Sequence, residues 1–260
     1  MSKVEKNVYS KKFLRRFWML IISPVVLLFL LISMVTLGWF GDLPSTEELQ
    51  NPNFNLASVV YSTDGKVLGK FYAENRTNVK YKDLSPHLVN ALIATEDARF
   101  HNHSGIDARG LMRVLFKTLI GGDISSGGGS TISQQLAKLL FPREKRSNMF
   151  RVAIRKIKEW IIALRLERQY TKEEIIAMYL NKFEFINNAV GIKSAAKIYF
   201  NTTPDSLTIE EAAMLVGMAK NPSMFNPKRF RDTTEHRRNV VMKQMVKYEF
   251  LAQAQYDSLR

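Results

Sequence analysis

The sequence predicts a mainly α-helical catalytic domain held at a membrane by one N-terminal transmembrane helix, with a short β-hairpin between the two. Three observations carry that expectation. The run Phe17 to Phe40 contains no charged residue. Helix-start signatures recur from Ser85 onward, at Thr131, Thr171 and Thr208, with short connections between the helices they open. The β-prone runs are confined to Ala57–Tyr61 and Lys66–Tyr72, on either side of the turn dipeptide Asp64-Gly65.

The anchor comes first in the chain. As a helix, Phe17 to Phe40 would span ~36 Å, enough to cross a hydrocarbon core of ~30 Å with some tilt. A cleaved signal peptide has a shorter apolar core of ~7–15 residues and ends in small side chains, whereas this run ends Thr36-Leu-Gly-Trp-Phe40. Pro24 is tolerable inside a membrane span, and Trp18 and Trp39 sit where interfacial aromatics belong. Lys3, Lys6, Lys11, Lys12, Arg15 and Arg16 crowd the short N-terminal side. The positive-inside rule then keeps the N-terminus in the cytoplasm and sends residues from about 42 onward across the membrane. The expected division is a basic tail over 1–16, the transmembrane helix over 17–40, a polar stalk and β-hairpin over 41–84, and one catalytic domain over 85–260.

Composition narrows the partners. A net charge of +14 over 260 residues points to an anionic partner: nucleic acid, a phosphorylated small molecule or a lipid headgroup. Placement of the domain outside the cytoplasm argues against nucleic acid. The absence of cysteine removes disulfides and thiolate metal sites.

The helices follow in order. Ser85-Pro86 supplies an N-cap and a first-turn proline for a helix running to about Asp97. Leu88, Leu92 and Glu96 fall at i, i+4 and i+8, so Glu96 shares a face with apolar residues. A carboxylate there is partly desolvated, which suits a general base. Thr131 with Gln134 fits a capping box, and Gly127-Gly-Gly-Ser130 before it leaves backbone N–H groups free to face a phosphate. Such a loop is more often a linker. A helix from about Ser147 to Gln169 carries an apolar stripe of Ile154, Ile157, Ile161 and Leu164, with Arg151, Arg155, Lys158 and Glu159 on another face. The basic run from Arg143 to Lys158 would by default be a solvated face, but its position between the carboxylates Glu96 and Glu159 favours a binding role. Capping boxes at Thr171–Glu174 and Thr208–Glu211 open two more helices. His101 and His103, two residues apart in a turn, suit hydrogen bonding better than metal ligation. The clusters Leu111–Ile120 and Leu136–Phe141 fit core or a surface dipping into the headgroup layer equally well.

These blocks together resemble the peptidoglycan glycosyltransferase family, the lipid II polymerases found as monofunctional enzymes and as the first domain of bifunctional penicillin-binding proteins. The resemblance covers roughly residues 85 to 245. Glu96-Asp97-x-x-Phe100-x-x-His103-x-Gly105, with Arg113 following, is similar to the family's first signature. Gly128-Gly-Ser130-Thr131-Ile-Ser-Gln134-Gln135-Leu-Ala-Lys138 is similar to the second, and Arg151 ahead of Arg155-Lys-Ile-Lys158-Glu159 to the third. Tyr179-Leu-Asn181, Glu211 to Gly217, Asn221-Pro-Ser and Asn226-Pro complete it. Departures fall at Gly127, where the family has glutamine, at Leu139, where asparagine is common, and at Phe185-Ile-Asn-Asn-Ala-Val-Gly191, which replaces aromatic-Gly-x-x-Ala-Tyr-Gly.

The resemblance implies a lysozyme-like α domain with a smaller membrane-touching lobe. It also implies transfer of a growing glycan from its undecaprenyl pyrophosphate onto lipid II, with inversion, in cell wall biosynthesis at the bacterial cytoplasmic membrane. Glu96 would be the base and Glu159 a second catalytic carboxylate positioning cations or donor. Asp97, Phe100, His103, Arg113, Ser130, Thr131, Gln134, Gln135, Lys138, Arg151, Arg155, Lys158 and Asn181 would line the substrate. No cofactor is essential, although a divalent cation (Mg or Mn) at the pyrophosphate is compatible with the chemistry. Expected partners are lipid II, the growing strand and membrane lipids, and other cell wall synthesis and division proteins are compatible too. The hairpin resembles the one after the anchor in bifunctional members, so continuation past Arg260 is expected. Two rivals stand beside this reading: a lysozyme-like lytic enzyme, and an inactive glycan or headgroup binding module.

Overall fold

The structure, a computed structural model, describes residues 11–44, 58–61, 67–71, 78–121, 128–141 and 148–260. The tail before Lys11, the stalk from residue 45, Asp64-Gly65, Gly127, Arg143, Lys145 and Arg146 lie outside the described residues. Helix α1 runs Lys11–Thr36, starting before the uncharged stretch and ending before Phe40. The chain leaves it at Gly38, whose φ of 82° is left-handed and closed to most side chains at low cost. Among the described residues, α1 is the one helix long and apolar enough to cross a membrane. Ser58–Tyr61 (β1) and Val67–Phe71 (β2) pair antiparallel, with a shift in register between Val60 and Tyr61.

The rest is helical: α2 (Pro86–Glu96), α3 (Ala108–Gly121), α4 (Ile132–Leu140), α5 (Met149–Gln169), α6 (Lys172–Lys182), α7 (Gly191–Phe200), α8 (Ile209–Ala219), α9 (Arg231–Lys247) and α10 (Gln253–Leu259). The caps explain where most of them start. Ser85 Oγ accepts from the His87 amide and donates to the Leu207 carbonyl at 2.9 Å, so the α2 cap also ties down the segment before α8. Thr171–Glu174 and Thr208–Glu211 both form complete capping boxes. Helix α5 is capped by Asn148, one residue after the expected start, through a 3.0 Å bond from the Arg151 amide. At α4 only half the expected box exists: Thr131 Oγ1 accepts from the Gln134 amide, but Gln134 spends its own side-chain amide on the Gly105 carbonyl.

Helix α2 is the buried centre. Leu88, Ala91 and Leu92 are fully buried, and the helix packs on α8 and α9. Burial of a Leu or Ile side chain contributes ~1.5–3 kcal/mol, so several of them fix the helix axis firmly. Helix α4 lies between α5 and α6 and buries Ile132, Leu136 and Ala137. Leu136–Phe141 therefore joins the core, whereas Met112 and Phe116 on α3 are exposed.

The apolar stripe on α5 needs correction. Ile154 and Ile157, with Ile161, pack on Leu31, Ile32, Val35 and Phe40 of the anchor segment rather than on the domain core, and Leu164 is exposed. A second face, with Ile162 and Leu166, joins the core. A helix held between two partners needs two apolar faces, and a single periodic stripe reveals only one.

Candidate active site

Glu96 is the last residue of α2, half-buried where the helix emerges from the core. Gln135 on α4 donates its side-chain amide to Glu96 Oε2 at 2.8 Å, and the Tyr179 hydroxyl on α6 donates to Gln135 Oε1 at 3.2 Å. Burial first, and the Glu96 charge second, push the Tyr179 hydroxyl far above its ordinary pKa. From α9, Arg237 interacts electrostatically with Glu96; burial lowers the guanidinium pKa and the carboxylate partly restores it. Arg237 also stacks over Phe225 and donates to the Gly217 carbonyl at 3.4 Å.

The neighbouring signature residues form a latch between the loop after α2 and the start of α4. Asp97 is buried; each of its oxygens lies 3.1 Å from His103 Nε2, and Oδ2 accepts from the Ile132 amide at 3.1 Å. A carboxylate at a helix N-terminus is favoured by the exposed amides and the helix dipole. Thr131 Oγ1 donates to the Gly105 carbonyl at 2.7 Å, and Gln134 Nε2 donates to the same oxygen at 3.1 Å. Gly105 has a φ of 91° and lies so close to α5 that a Cβ would fall 2.9 Å from the Ala163 carbonyl oxygen. Phe100 is fully buried, and Lys172 sits 4.2 Å over its ring. Lys172 also donates to the His103 carbonyl at 2.6 Å and pairs with Glu167, which accepts from Ser133 as well. Asp97, His103, Thr131 and Gln134 thus bond within the protein, around the buried Phe100, and tie the loop after α2 to the start of α4.

The basic residues divide in two. Lys156 on α5 donates to Ser130 Oγ at 3.0 Å and to Glu159 Oε2 at 2.9 Å, so Glu159 pairs with Lys156 and the glycine-rich loop is tied to α5. Arg151 is exposed and Arg155 half-buried on the same helix, with Lys138 exposed on α4 and Arg113 exposed on α3. Lys158 points elsewhere. Its ammonium donates to the Phe40 and Gly41 carbonyls at 2.8 and 2.9 Å, closing the end of the anchor segment, and Arg165 does likewise to the Pro44 carbonyl at 2.8 Å. Asn181 is also committed: its side chain exchanges two hydrogen bonds, 2.8 and 2.9 Å, with the Val79 backbone.

Lys156, Glu167, Lys172, Tyr179 and Arg237 were missed as site-forming side chains. Lys156–Glu159 was readable as an i,i+3 pair and Glu167–Lys172 lie five residues apart, but the contacts that bring Glu167, Lys172, Tyr179 and Arg237 to the site join segments distant in sequence. Among the described residues, no group of three or more His, Asp or Glu side chains converges as a metal site would require. The arrangement offers a half-buried carboxylate with one oxygen fixed by an amide of α4, the helix that also carries the exposed Lys138. It can accept a proton and stabilise an anionic group nearby.

Comparison with known proteins defines the class. The family model described as Transglycosylase matches residues 64–246, and the chain belongs to that family, the peptidoglycan glycosyltransferases. Over 84% of this chain it is 38% identical to penicillin-binding protein 1A of Escherichia coli (strain K12), covering 25% of that protein. Over 90% of the chain it is 37% identical to penicillin-binding protein 1A/1B of Bacillus subtilis (strain 168), covering 26% of it. The crystal structure of penicillin-binding protein 1A from Haemophilus influenzae matches 78% of this chain and 20% of its own, with a TM-score of 0.43 and 23% identity. The chain spans about a quarter of the length of these curated relatives.

Proposed function

We propose that this chain is a membrane-anchored peptidoglycan glycosyltransferase that polymerises lipid II into β-1,4-linked glycan and releases undecaprenyl pyrophosphate. The observation that carries the proposal is Glu96, half-buried at the end of a buried helix and held there by Gln135 of α4, with the Arg237 guanidinium of α9 as an electrostatic neighbour. Glu96 takes the proton from the acceptor 4-hydroxyl as that oxygen attacks the anomeric carbon of the donor, and the single displacement inverts the configuration. The leaving pyrophosphate requires charge stabilisation more than protonation, and Lys138, Arg151 and Arg155 supply it. Glu159 holds Lys156 against Ser130 and so shapes the cationic side of the site.

Segment 1–16 is the cytoplasmic tail, 17–40 the transmembrane part, and 41–84 the stalk segment that includes the paired strands β1 and β2. Residues 85–260 form the lysozyme-like domain beyond the membrane. Exposed Met112, Phe116, Met149, Phe150 and Val152 support a membrane-touching lobe, since Phe150 packs edge-on against Phe40 at the end of the anchor. The test is incubation of the detergent-solubilised chain with labelled lipid II, followed by separation of polymer from monomer. Polymer supports the proposal. Soluble muropeptides released from preformed glycan would support a lytic enzyme, and binding without turnover an inactive module.

A further inference from the structure

We propose that Tyr179 is a positioning residue for Glu96, acting through Gln135, so that a buried hydroxyl on α6 aims the carboxylate at the end of α2. The inference rests on the reading of Glu96 as the base. An ionised carboxylate only accepts, so the Gln135 group 2.8 Å from Glu96 Oε2 has to be the NH2. The amide carbonyl is then turned away, toward Tyr179, and needs a donor there. Tyr179 provides one 3.2 Å off.

That hydroxyl is fixed in its donor state. Tyr179 is 1% exposed, beside Phe183, and its burial together with the Glu96 charge keeps the phenol protonated far beyond ordinary pH. Flipping the Gln135 amide would set its carbonyl against the carboxylate and its NH2 against the hydroxyl, losing the charged hydrogen bond. The chain of bonds therefore has one polarity, from Tyr179 to Gln135 to Glu96 Oε2. Three elements packed around α2 and its end present polar groups to Glu96: α4 through Gln135, α6 through Tyr179, and α9 through Arg237. Arg237 supplies charge, while Tyr179 and Gln135 supply direction. With Oε2 tied down, rotation about the last Glu96 torsion is blocked and Oε1 has a fixed aim at the proton it removes. A base that can swing away from its proton loses rate without losing substrate affinity.

The same geometry reassigns Gln135 from substrate contact to support. A structural tyrosine and a positioning tyrosine both tolerate Phe, but only the second couples to Gln135 in catalysis. The experiment is a double-mutant cycle on the full chain in detergent, with kcat and KM for lipid II polymerisation and thermal midpoints for Tyr179→Phe, Gln135→Leu and the pair. Tyr179→Phe is expected to lower kcat roughly tenfold and Gln135→Leu roughly a hundredfold, the scale of misplaced catalytic groups. KM should stay within about twofold, and the pair should be no slower than Gln135→Leu alone, because the hydroxyl has no route to Glu96 without the amide. Multiplicative losses in the pair, a wild-type kcat in Tyr179→Phe, or a rate loss that follows the fall in thermal midpoint would each overturn the proposal. Glu96→Gln measured alongside separates the two levels. If that variant still polymerises, the assignment of the base has failed; if it is dead while Tyr179→Phe is unaffected, only the positioning role has.

Discussion

Asn181→Ala discriminates between a side chain that touches substrate and one that holds the fold. Asn181 donates to the Val79 carbonyl at 2.8 Å and accepts from the Val79 amide at 2.9 Å, clamping the segment before α2 onto α6. Val79 is 8% exposed, so water replaces neither bond well. Each hydrogen bond contributes ~0.5–1.5 kcal/mol net, and a buried backbone group left without a partner costs ~1–3 kcal/mol. The loss should be about 3 kcal/mol in all. For a domain of this size that corresponds to a fall of roughly 6–12 °C in Tm. The assay is thermal unfolding in detergent, followed by circular dichroism, with lipid II turnover measured well below the transition. A lower Tm with turnover preserved at low temperature fits the clamp. An unchanged Tm with turnover abolished would refute it and return Asn181 to the substrate surface.

Two further outcomes follow from the same structure. Lys138→Ala and Arg151→Ala should each lower polymerisation by about 10- to 100-fold, the equivalent of one lost charged hydrogen bond, and Lys138→Ala should leave Tm nearly unchanged. Lys158→Ala should instead lower Tm by a few degrees and spare turnover on a short-chain analogue, since its bonds go to Phe40 and Gly41; equal effects at all three positions would contradict this division. At Asp107 burial opposes the charge, but bonds from Arg99 and the Gly110 amide outweigh it and hold the carboxyl below its ordinary value. A depressed carboxyl stabilises the fold above the unfolded pKa and loses that contribution as pH falls through the folded value. Asp107→Asn should therefore be less stable near neutrality and converge with the parent below about pH 4, and parallel stability curves across that range would contradict it.

Most local signals were legible, the half-formed box at Thr131 and Gln134 being the exception. Ser85-Pro86, Thr171–Glu174 and Thr208–Glu211 start the helices that the residues announce, because a cap is satisfied within four residues of chain. Helix α9 gave no such notice. Phe230 makes no side-chain cap, and the helix buries only Thr234, Val241, Met242 and Met245 among charged neighbours. In the site, the carboxylate of Glu96 was readable from its spacing with Leu88 and Leu92. The roles of Asn181 and Lys158 were not. Their partners are backbone groups of Val79, Phe40 and Gly41, which no side-chain pattern encodes. The loop after α6 shows another limit. Ile186, Asn187 and Asn188 are all left-handed, with φ of 59°, 55° and 63°. Asparagine tolerates that region, but a β-branched residue there costs on the order of 1–3 kcal/mol. In the motif that the sequence resembles, Ile186 falls at a glycine position, and bonds from Tyr199 to the Phe185 carbonyl and from Asn187 to Tyr199 and Asn226 hold the loop. Sequence shows the missing glycine but not what compensates for it.

Glu96→Gln removes the proposed base itself. The amide keeps the shape of the side chain, and its carbonyl can still accept from Gln135, so packing and substrate binding are preserved while the proton acceptor is lost. The measurement is the steady-state rate of lipid II polymerisation by the full chain in detergent, read beside Tm and the affinity for a non-reactive lipid II analogue. A fall of ~10²–10⁴-fold in kcat is expected at unchanged Tm and affinity. A rate within a few-fold of the parent, from a folded variant that binds the analogue normally, would contradict it and place the base elsewhere.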